Sequence, residues 1–216
     1  MNRPGILIAD DHRIFAEGLR HILSPYCNVL GTVADGRELI EAAHTLKPEL
    51  IVADISMPVL NGIDAVRRIR TKNADVKILF LTMHPDVTYA TEAIAAGASG
   101  YVLKHSVTSE LMTAVAAVLR GERYISPSLA DKVEKSLVEV STGRKRSISL
   151  SLSSRQREVL QLVAQGKSAK EIAELLFIST RTAEYHKQEL RKKLGVASTA
   201  ELVKQAVRLQ LLDGEA

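Results

Sequence analysis

Along the first half of the chain, short apolar runs alternate with longer stretches of helical period. Ile6-Leu7-Ile8-Ala9, Val29-Leu30-Gly31-Thr32-Val33, Leu50-Ile51-Val52-Ala53, Ile78-Leu79-Phe80-Leu81 and Gly100-Tyr101-Val102-Leu103 read as five strands. Three of them are near-continuous apolar runs, the pattern of strands covered on both faces. Helical stretches fall near 13–23, 37–46, 62–71, 87–96 and 107–119, and Leu39, Ala42, Ala43 and Leu46 mark one face of the second. A repeated βα order implies an α/β unit, a doubly wound (βα)5 parallel sheet with right-handed crossovers. After Ser126-Pro127 no further strand is expected. Leu129, Val133, Leu137 and Val140 share a stripe that predicts one helix, and residues 141–147 read as a flexible basic linker. Four helices are expected near 154–164, 168–175, 180–193 and 199–211. The organisation is thus an α/β unit over 1–125, a linker carrying a helix over 126–149, and an all-α four-helix unit over 150–216.

Composition narrows the function. At 216 residues the chain has room for two small domains, and 46% hydrophobic with 25% charged residues is ordinary globular composition. The apolar runs fall far short of the ~18 residues that cross a bilayer. Asp10-Asp11 interrupts the first run too early for a signal-peptide core. A single cysteine, Cys27, suits a reducing compartment. The expectation is a cytoplasmic protein with no membrane partner. Without Trp, and with five Tyr and three Phe, a stacking platform for single-stranded nucleic acid is not expected. Charge is divided unevenly: residues 1–125 carry a net −1 and residues 126–216 a net +5, so the second unit is the one suited to an anionic partner.

In an open parallel sheet, ligands bind beyond the carboxyl ends of the strands. Those ends carry Asp10 and Asp11, Asp54, Thr82 and Lys104. Three carboxylates against one ammonium call for a further cation, and a hard ion such as Mg²⁺ suits carboxylate oxygens. Metal, Lys104 and the Thr82 hydroxyl together are the set that binds phosphoryl oxygens, with Asp54 as the candidate nucleophile. Isolated strand-end aspartates more often cap helices, but this set arrives in order at the correct ends.

On these residues, 4–122 resembles the receiver domain of response regulators, with a flavodoxin-like sheet. Asp10-Asp11 matches its acidic pair, Asp54-Ile55-Ser56-Met57-Pro58-Val59-Leu60-Asn61-Gly62 its phosphoacceptor segment, and Leu81-Thr82 and Lys104 its switch hydroxyl and lysine. The resemblance implies phosphorylation of Asp54 by a sensor histidine kinase, with Mg²⁺ held by Asp11, Asp54 and the Ser56 carbonyl and Asp10 close by. It implies that Tyr101 is an aromatic that rotates with Thr82. His105 departs from the Pro common after the lysine. Aspartyl phosphatases also use a strand-end Asp, but they place a second Asp two residues on, where this chain has Ser56.

In the second unit, Ser168 and Glu171 form a capping box, and Ser179 can cap a helix across a short turn, which together describe a helix-turn-helix. Ala183, His186, Leu190 and Leu194 should face its core, while Arg181, Glu184, Tyr185, Gln188, Arg191 and Lys192 face out, flanked by Lys187 and Lys193. Residues 179–194 carry five Lys+Arg and two Glu. A solvated face with i,i+4 pairs such as Glu189–Lys193 is the plain account of that run. Residues 150–212 nevertheless resemble the LuxR-type helix-turn-helix of NarL/FixJ-type regulators. The matching text is Leu152-Ser153, Arg157-Glu158-Val159-Leu160, Gly166, Lys170-Glu171-Ile172-Ala173, Ile178-Ser179, Thr182, His186 and Lys193-Leu194-Gly195-Val196. It implies contacts to double-stranded promoter DNA from Ser179, Thr180, Arg181, Thr182, Glu184, Tyr185, Lys187, Gln188, Arg191 and Lys192, with Glu184, Tyr185 and Gln188 toward base edges. It also implies a homodimer through Leu202, Ala206 and Leu209. The combined expectation is a transcriptional regulator and not an enzyme. A DNA-binding protein indifferent to phosphorylation and an aspartyl-phosphate phosphohydrolase are the alternatives.

Overall fold

The computed structural model describes residues 3–83, 85–141, 152, 154–176 and 178–208. The chain divides into two compact units, 1–146 and 147–216. In the first, β1 (Gly5–Ala9), α1 (Arg13–Leu23), β2 (Asn28–Val33), α2 (Gly36–Leu46), β3 (Leu50–Ala53), α3 (Gly62–Lys72), β4 (Lys77–Thr82), α4 (Val87–Ala95), β5 (Gly100–Leu103) and α5 (Val107–Leu119) alternate. The strands pair in parallel in the order β2-β1-β3-β4-β5, and a sixth, β6 (Tyr124–Ile125), adds to the edge alongside β5. The expected five-stranded sheet lacks β6, because two residues are too few to display a period.

Side chains alternate across the sheet with the strand period of two. Ile6, Ile8, Leu50, Val52, Leu79, Leu81 and Val102 form one core with α1 and α5. Leu7, Ala9, Ile51, Ala53, Phe80, Tyr101 and Leu103 form the other with α2, α3 and α4. Each of the Leu, Ile, Val and Phe side chains among them contributes ~1.5–3 kcal/mol on burial. The edge strand β2 is only partly covered, which accounts for its Gly-Thr interruption.

Two glycines bring helix starts against the loop that follows β3. A Cβ on Gly62 would lie 2.1 Å from the Asp54 carbonyl oxygen, and one on Gly36 would lie 2.1 Å from that of Leu60. Asn61 caps α3 by accepting from the Asp64 amide at 2.9 Å.

The helix expected within the linker, α6 (Ala130–Ser141), is part of the first unit. Leu129 and Val133 are buried in the same core as Tyr89, Ala90, Ala93, Ile94 and Tyr101, with Leu137 packed against it. The assignment of 126–149 to a linker is corrected to that extent: the apolar stripe of α6 has a partner in α4 and β5. Residues 142–149 lie outside the described residues.

The second unit comprises α7 (Ser154–Ala164), α8 (Ala169–Leu176), α9 (Thr180–Leu194) and α10 (Thr199–Arg208) around Val159, Leu160, Val163, Ile172, Leu176, Ala183, Leu190, Leu202 and Ala206. Ser168 and Glu171 form the capping box, their amides bonding Glu171 Oε2 at 2.9 Å and Ser168 Oγ at 3.3 Å. Gly195 closes α9 at φ 66°, a left-handed turn that glycine adopts without steric cost. Among the described residues no helix is long and apolar enough to cross a membrane.

Candidate functional site

Parallel register sets the strand ends side by side. Ala9 pairs with Ala53 and Thr82 with Leu103, so Asp10 and Asp54 follow neighbouring strands, while Thr82 ends β4 beside the end of β5, which Lys104 follows. Lys104 Nζ lies 2.6 Å from Asp54 Oδ2 and 2.8 Å from Asp10 Oδ2, bridging the two carboxylates. Its ammonium also sits 4.7 Å from the centroid of the Phe15 ring. Asp54 Oδ1 accepts from the Ile55 amide at 2.6 Å, with the half-buried Ser56 amide 3.4 Å away. Asp11 stands at the exposed mouth of the pocket. Asp10, Asp11, His12 and Asp54 each offer a ligand atom, all within 4.8 Å of one another.

One ammonium serves two buried carboxylates. Burial pushes the Asp54 carboxyl above its ordinary range; the Lys104 charge and hydrogen bond oppose this, and Asp10 adds to the rise. Burial alone would depress Lys104, but Asp54 and Asp10 together hold it above its ordinary value. The ammonium therefore stays charged, and the pocket keeps an excess of negative charge. Such a site is suited to a further cation.

Thr82 and Tyr101 are both fully buried. Burial, with the Asp86 and Asp54 charges, pushes the Tyr101 phenol far up. Beyond them lies a hydrogen-bonded connection that sequence reasoning missed. The Ser126 amide donates to the Tyr101 carbonyl at 2.9 Å, and the Leu103 amide donates to Ser126 Oγ at 3.2 Å. Ser126 Oγ in turn donates to Glu110 Oε2 at 2.6 Å. No spacing rule links Glu110 with Ser126, whereas His12, also missed, directly follows the acidic pair and was open to notice.

In the second unit, Ser179 caps α9 by accepting from the Thr182 amide at 3.0 Å, and its hydroxyl lies 2.8 Å from that of Thr182. Thr180, Arg181, Glu184, Tyr185, Gln188 and Lys192 are exposed, while Thr182, Lys187 and Arg191 are half-buried. Two ion pairs on this helix are i,i+3, Lys187–Glu184 at 3.3 Å and Lys192–Glu189 at 3.1 Å. Arg191 departs from the expected outward face: its guanidinium donates to Thr199 Oγ1 at 2.9 Å, drawing it onto its own domain. His186 is half-buried, edge-on to Tyr185; burial and the Arg155 charge lower its pKa, opposed by Glu158.

The expected dimer residues need correction. Leu202 and Ala206 are 0% exposed in the core of their own unit, so neither is available to a second copy. Helical period puts both on the side of α10 that packs on α7. Val207 is exposed, while Val203 is half-buried against the same core. Leu209 lies outside the described residues.

Comparison with known proteins covers both units. Residues 6–116 match the family described as "Response regulator receiver domain", and residues 150–206 match "Bacterial regulatory proteins, luxR family". The chain is 37% identical to the oxygen regulatory protein NreC of Staphylococcus carnosus, over 96% of this chain and 99% of that one. It is 33% identical to the transcriptional regulatory protein MctR of Rhizobium johnstonii, over 94% and 92%. Among solved structures, it is similar to RcsB of Salmonella enterica serovar Typhimurium bound to promoter P1flhDC in the presence of the phosphomimetic BeF3−, with a TM-score of 0.63, 30% identity, and coverage of 94% of this chain and 98% of that one. The chain thus carries a receiver module and a LuxR-type module, and it belongs to the NarL/FixJ-type response regulators, DNA-binding transcriptional regulators of two-component systems.

Proposed function

We propose that a sensor histidine kinase phosphorylates Asp54, and that the phosphorylated chain binds promoter DNA as a homodimer in the cytoplasm. The observation that carries this reading is Lys104 bridging Asp54 and Asp10 at the strand ends, 2.6 and 2.8 Å from their oxygens. An Asp54 carboxylate oxygen attacks the phosphorus of a phosphohistidine; the O–P bond forms as the P–N bond breaks and the imidazole leaves. The Ile55 amide holds Asp54 in place, and Lys104 offsets charge on the phosphoryl oxygens. The Thr82 hydroxyl, at the end of the adjoining strand, supplies a donor to the same oxygens.

Three clustered carboxylates, only two of them bonded to the one ammonium, fit an oxygen-ligated divalent ion such as Mg²⁺, which Asp10, Asp11, Asp54 and the Ser56 carbonyl would hold. When bound, that ion neutralises charge on the phosphoryl group. Ser56 has no carboxyl to act as general acid and base, so the acyl phosphate persists as a signal and is not turned over.

Tyr101 lies on β5 between the pocket and α6. Ser126 bonds the backbone of β5 on both sides of Val102, and Leu129, just before α6, and Val133 within it are buried in the core that holds the Tyr101 ring. A rotation of Thr82 and Tyr101 on phosphorylation therefore moves the packing of α6, the last described element before the DNA-binding unit. On DNA, Glu184, Tyr185 and Gln188 face base edges, and Arg181, Lys187, Lys192, Ser179 and Thr180 face phosphates.

The test is intact-mass measurement after treatment with acetyl phosphate and Mg²⁺, alongside duplex binding with and without BeF3−. Wild type should gain one phosphoryl group and Asp54→Ala none, and BeF3− should tighten DNA binding only in wild type. No adduct on wild type rejects the phosphoacceptor role. An adduct without any change in DNA binding supports a regulator indifferent to phosphorylation.

A further inference from the structure

His12 belongs to none of the roles above, yet its ring enters the carboxylate cluster. It occupies the N-cap position of α1, where a side chain ordinarily turns to the free amides of the first turn, and it makes no such bond. Its Nδ1 instead lies 3.0 Å from Asp11 Oδ1 and 3.3 Å from Asp10 Oδ1, while its own amide donates to Asp10 Oδ1 at 2.9 Å and fixes the backbone there. Two atoms bound to one metal at ~2.1 Å are about 3.0 Å apart at a right angle and about 3.4 Å apart at the tetrahedral angle. Both imidazole–carboxylate spacings fall in that interval. With Asp54 the set is three oxygens and one nitrogen, all within 4.8 Å of one another.

Imidazole nitrogen discriminates among divalent ions in a way carboxylates do not. Mg²⁺ gains little from it, whereas affinity for Co²⁺, Ni²⁺ and Zn²⁺ rises along the first-row series with N-donor content. We propose that His12 is a nitrogen ligand that makes the Asp10-Asp11-Asp54 pocket bind late first-row divalent ions in preference to Mg²⁺. The inference rests on the reading of that pocket as a metal centre. A Ni²⁺ or Zn²⁺ ion held there displaces Mg²⁺ from the same carboxylates, so the same residues make the switch sensitive to these metals. The imidazole is 61% exposed, so an ion reaches it without any opening of the core.

The experiment is calorimetric titration of the untagged full-length chain with Mg²⁺ and with Ni²⁺, for wild type, His12→Gln, Asp11→Asn and the control His21→Gln. Co²⁺-loaded protein is also compared by proton NMR for paramagnetically shifted imidazole signals. Ni²⁺ affinity should fall about 10-fold or more in His12→Gln while Mg²⁺ affinity changes by less than about 2-fold. Asp11→Asn should weaken both, His21→Gln neither, and one shifted imidazole resonance should vanish with His12. Equal losses for Mg²⁺ and Ni²⁺ in His12→Gln indicate a histidine that only positions Asp11 by hydrogen bonding, and overturn the inference, as does an unchanged NMR spectrum. If wild type binds neither ion, the pocket is not a metal centre and both readings fall; Mg²⁺ binding with no effect of His12 rejects this one alone.

Discussion

Gly62→Ala sets two effects of opposite sign against each other. By helix propensity, Ala in place of Gly at the first position of α3 stabilises by at most ~1 kcal/mol. In the structure, the new Cβ would stand 2.1 Å from the Asp54 carbonyl oxygen and 3.0 Å from Phe80 Cε1. Relief requires α3 and the Asp54 backbone to part by about 1 Å. Neither yields easily: the Asp54 amide is bonded to the Ala9 carbonyl and the Gly62 amide to the Ile55 carbonyl, each at 2.8 Å. Overpacking a rigid site costs ~1–3 kcal/mol, and backbone-on-backbone conflict belongs at the upper end. The expected outcome is a net loss of about 2 kcal/mol in urea denaturation. The near-UV tyrosine signal reports it, since four of the five tyrosines lie in residues 1–146. A shift of ~1 Å at the nucleophile should also slow labelling of Asp54 by acetyl phosphate by about 10²-fold. A Gly62→Ala variant as stable as wild type and labelled at the same rate would refute this reasoning, because the loop would have accommodated the methyl group.

The other predictions concern separate elements. Val59 is β-branched at φ 66° in the same loop, so Val59→Gly should stabilise the first unit by about 1 kcal/mol in the same urea assay; a loss of stability would show that the valine side chain outweighs its backbone strain. His186 has a lowered pKa, so the folded state binds its proton more weakly than the unfolded one. The associated stability is present above the ordinary histidine value of ~6.5 and is lost as pH falls through the depressed folded value. Thermal unfolding of the full chain between about pH 5 and pH 8 should show this loss in wild type and a weaker one in His186→Gln; equal profiles would rule it out. In duplex binding, Gln188→Ala should cost ~1–3 kcal/mol at one base pair and change base preference, whereas Lys192→Ala should weaken all duplexes alike and lower the salt slope by about 1. Equal losses on specific and random duplexes for Gln188→Ala would remove Gln188 from base readout.

Local pattern was enough to reveal much of this molecule. Apolar runs of four residues between amphipathic stretches are the direct imprint of strands buried on both faces, and the polar residue ending each run lies, by topology, at the ligand-binding edge. Asp10, Asp54, Thr82 and Lys104 were therefore legible as a set before any coordinates. The helix caps at Ser168 and Ser179 were legible too, since capping involves residues only three apart. What involves distant residues was not. The role of α6 as a core element depends on Leu129 and Val133 meeting Tyr89, Ala93 and Tyr101, and an amphipathic stripe announces that it needs a partner without naming one. Period alone puts Leu202 and Ala206 on one stripe of α10, but only packing against α7 shows that this stripe is consumed inside the domain. The withdrawal of Arg191 to Thr199 and the direction of the His12 ring are likewise choices among rotamers, and tertiary contacts select among rotamers where sequence period cannot. Local pattern specifies every strand except the two-residue β6, together with the order of the elements and the chemistry at the strand ends. Tertiary structure decided which apolar faces are spent on the core and which polar side chains remain to act.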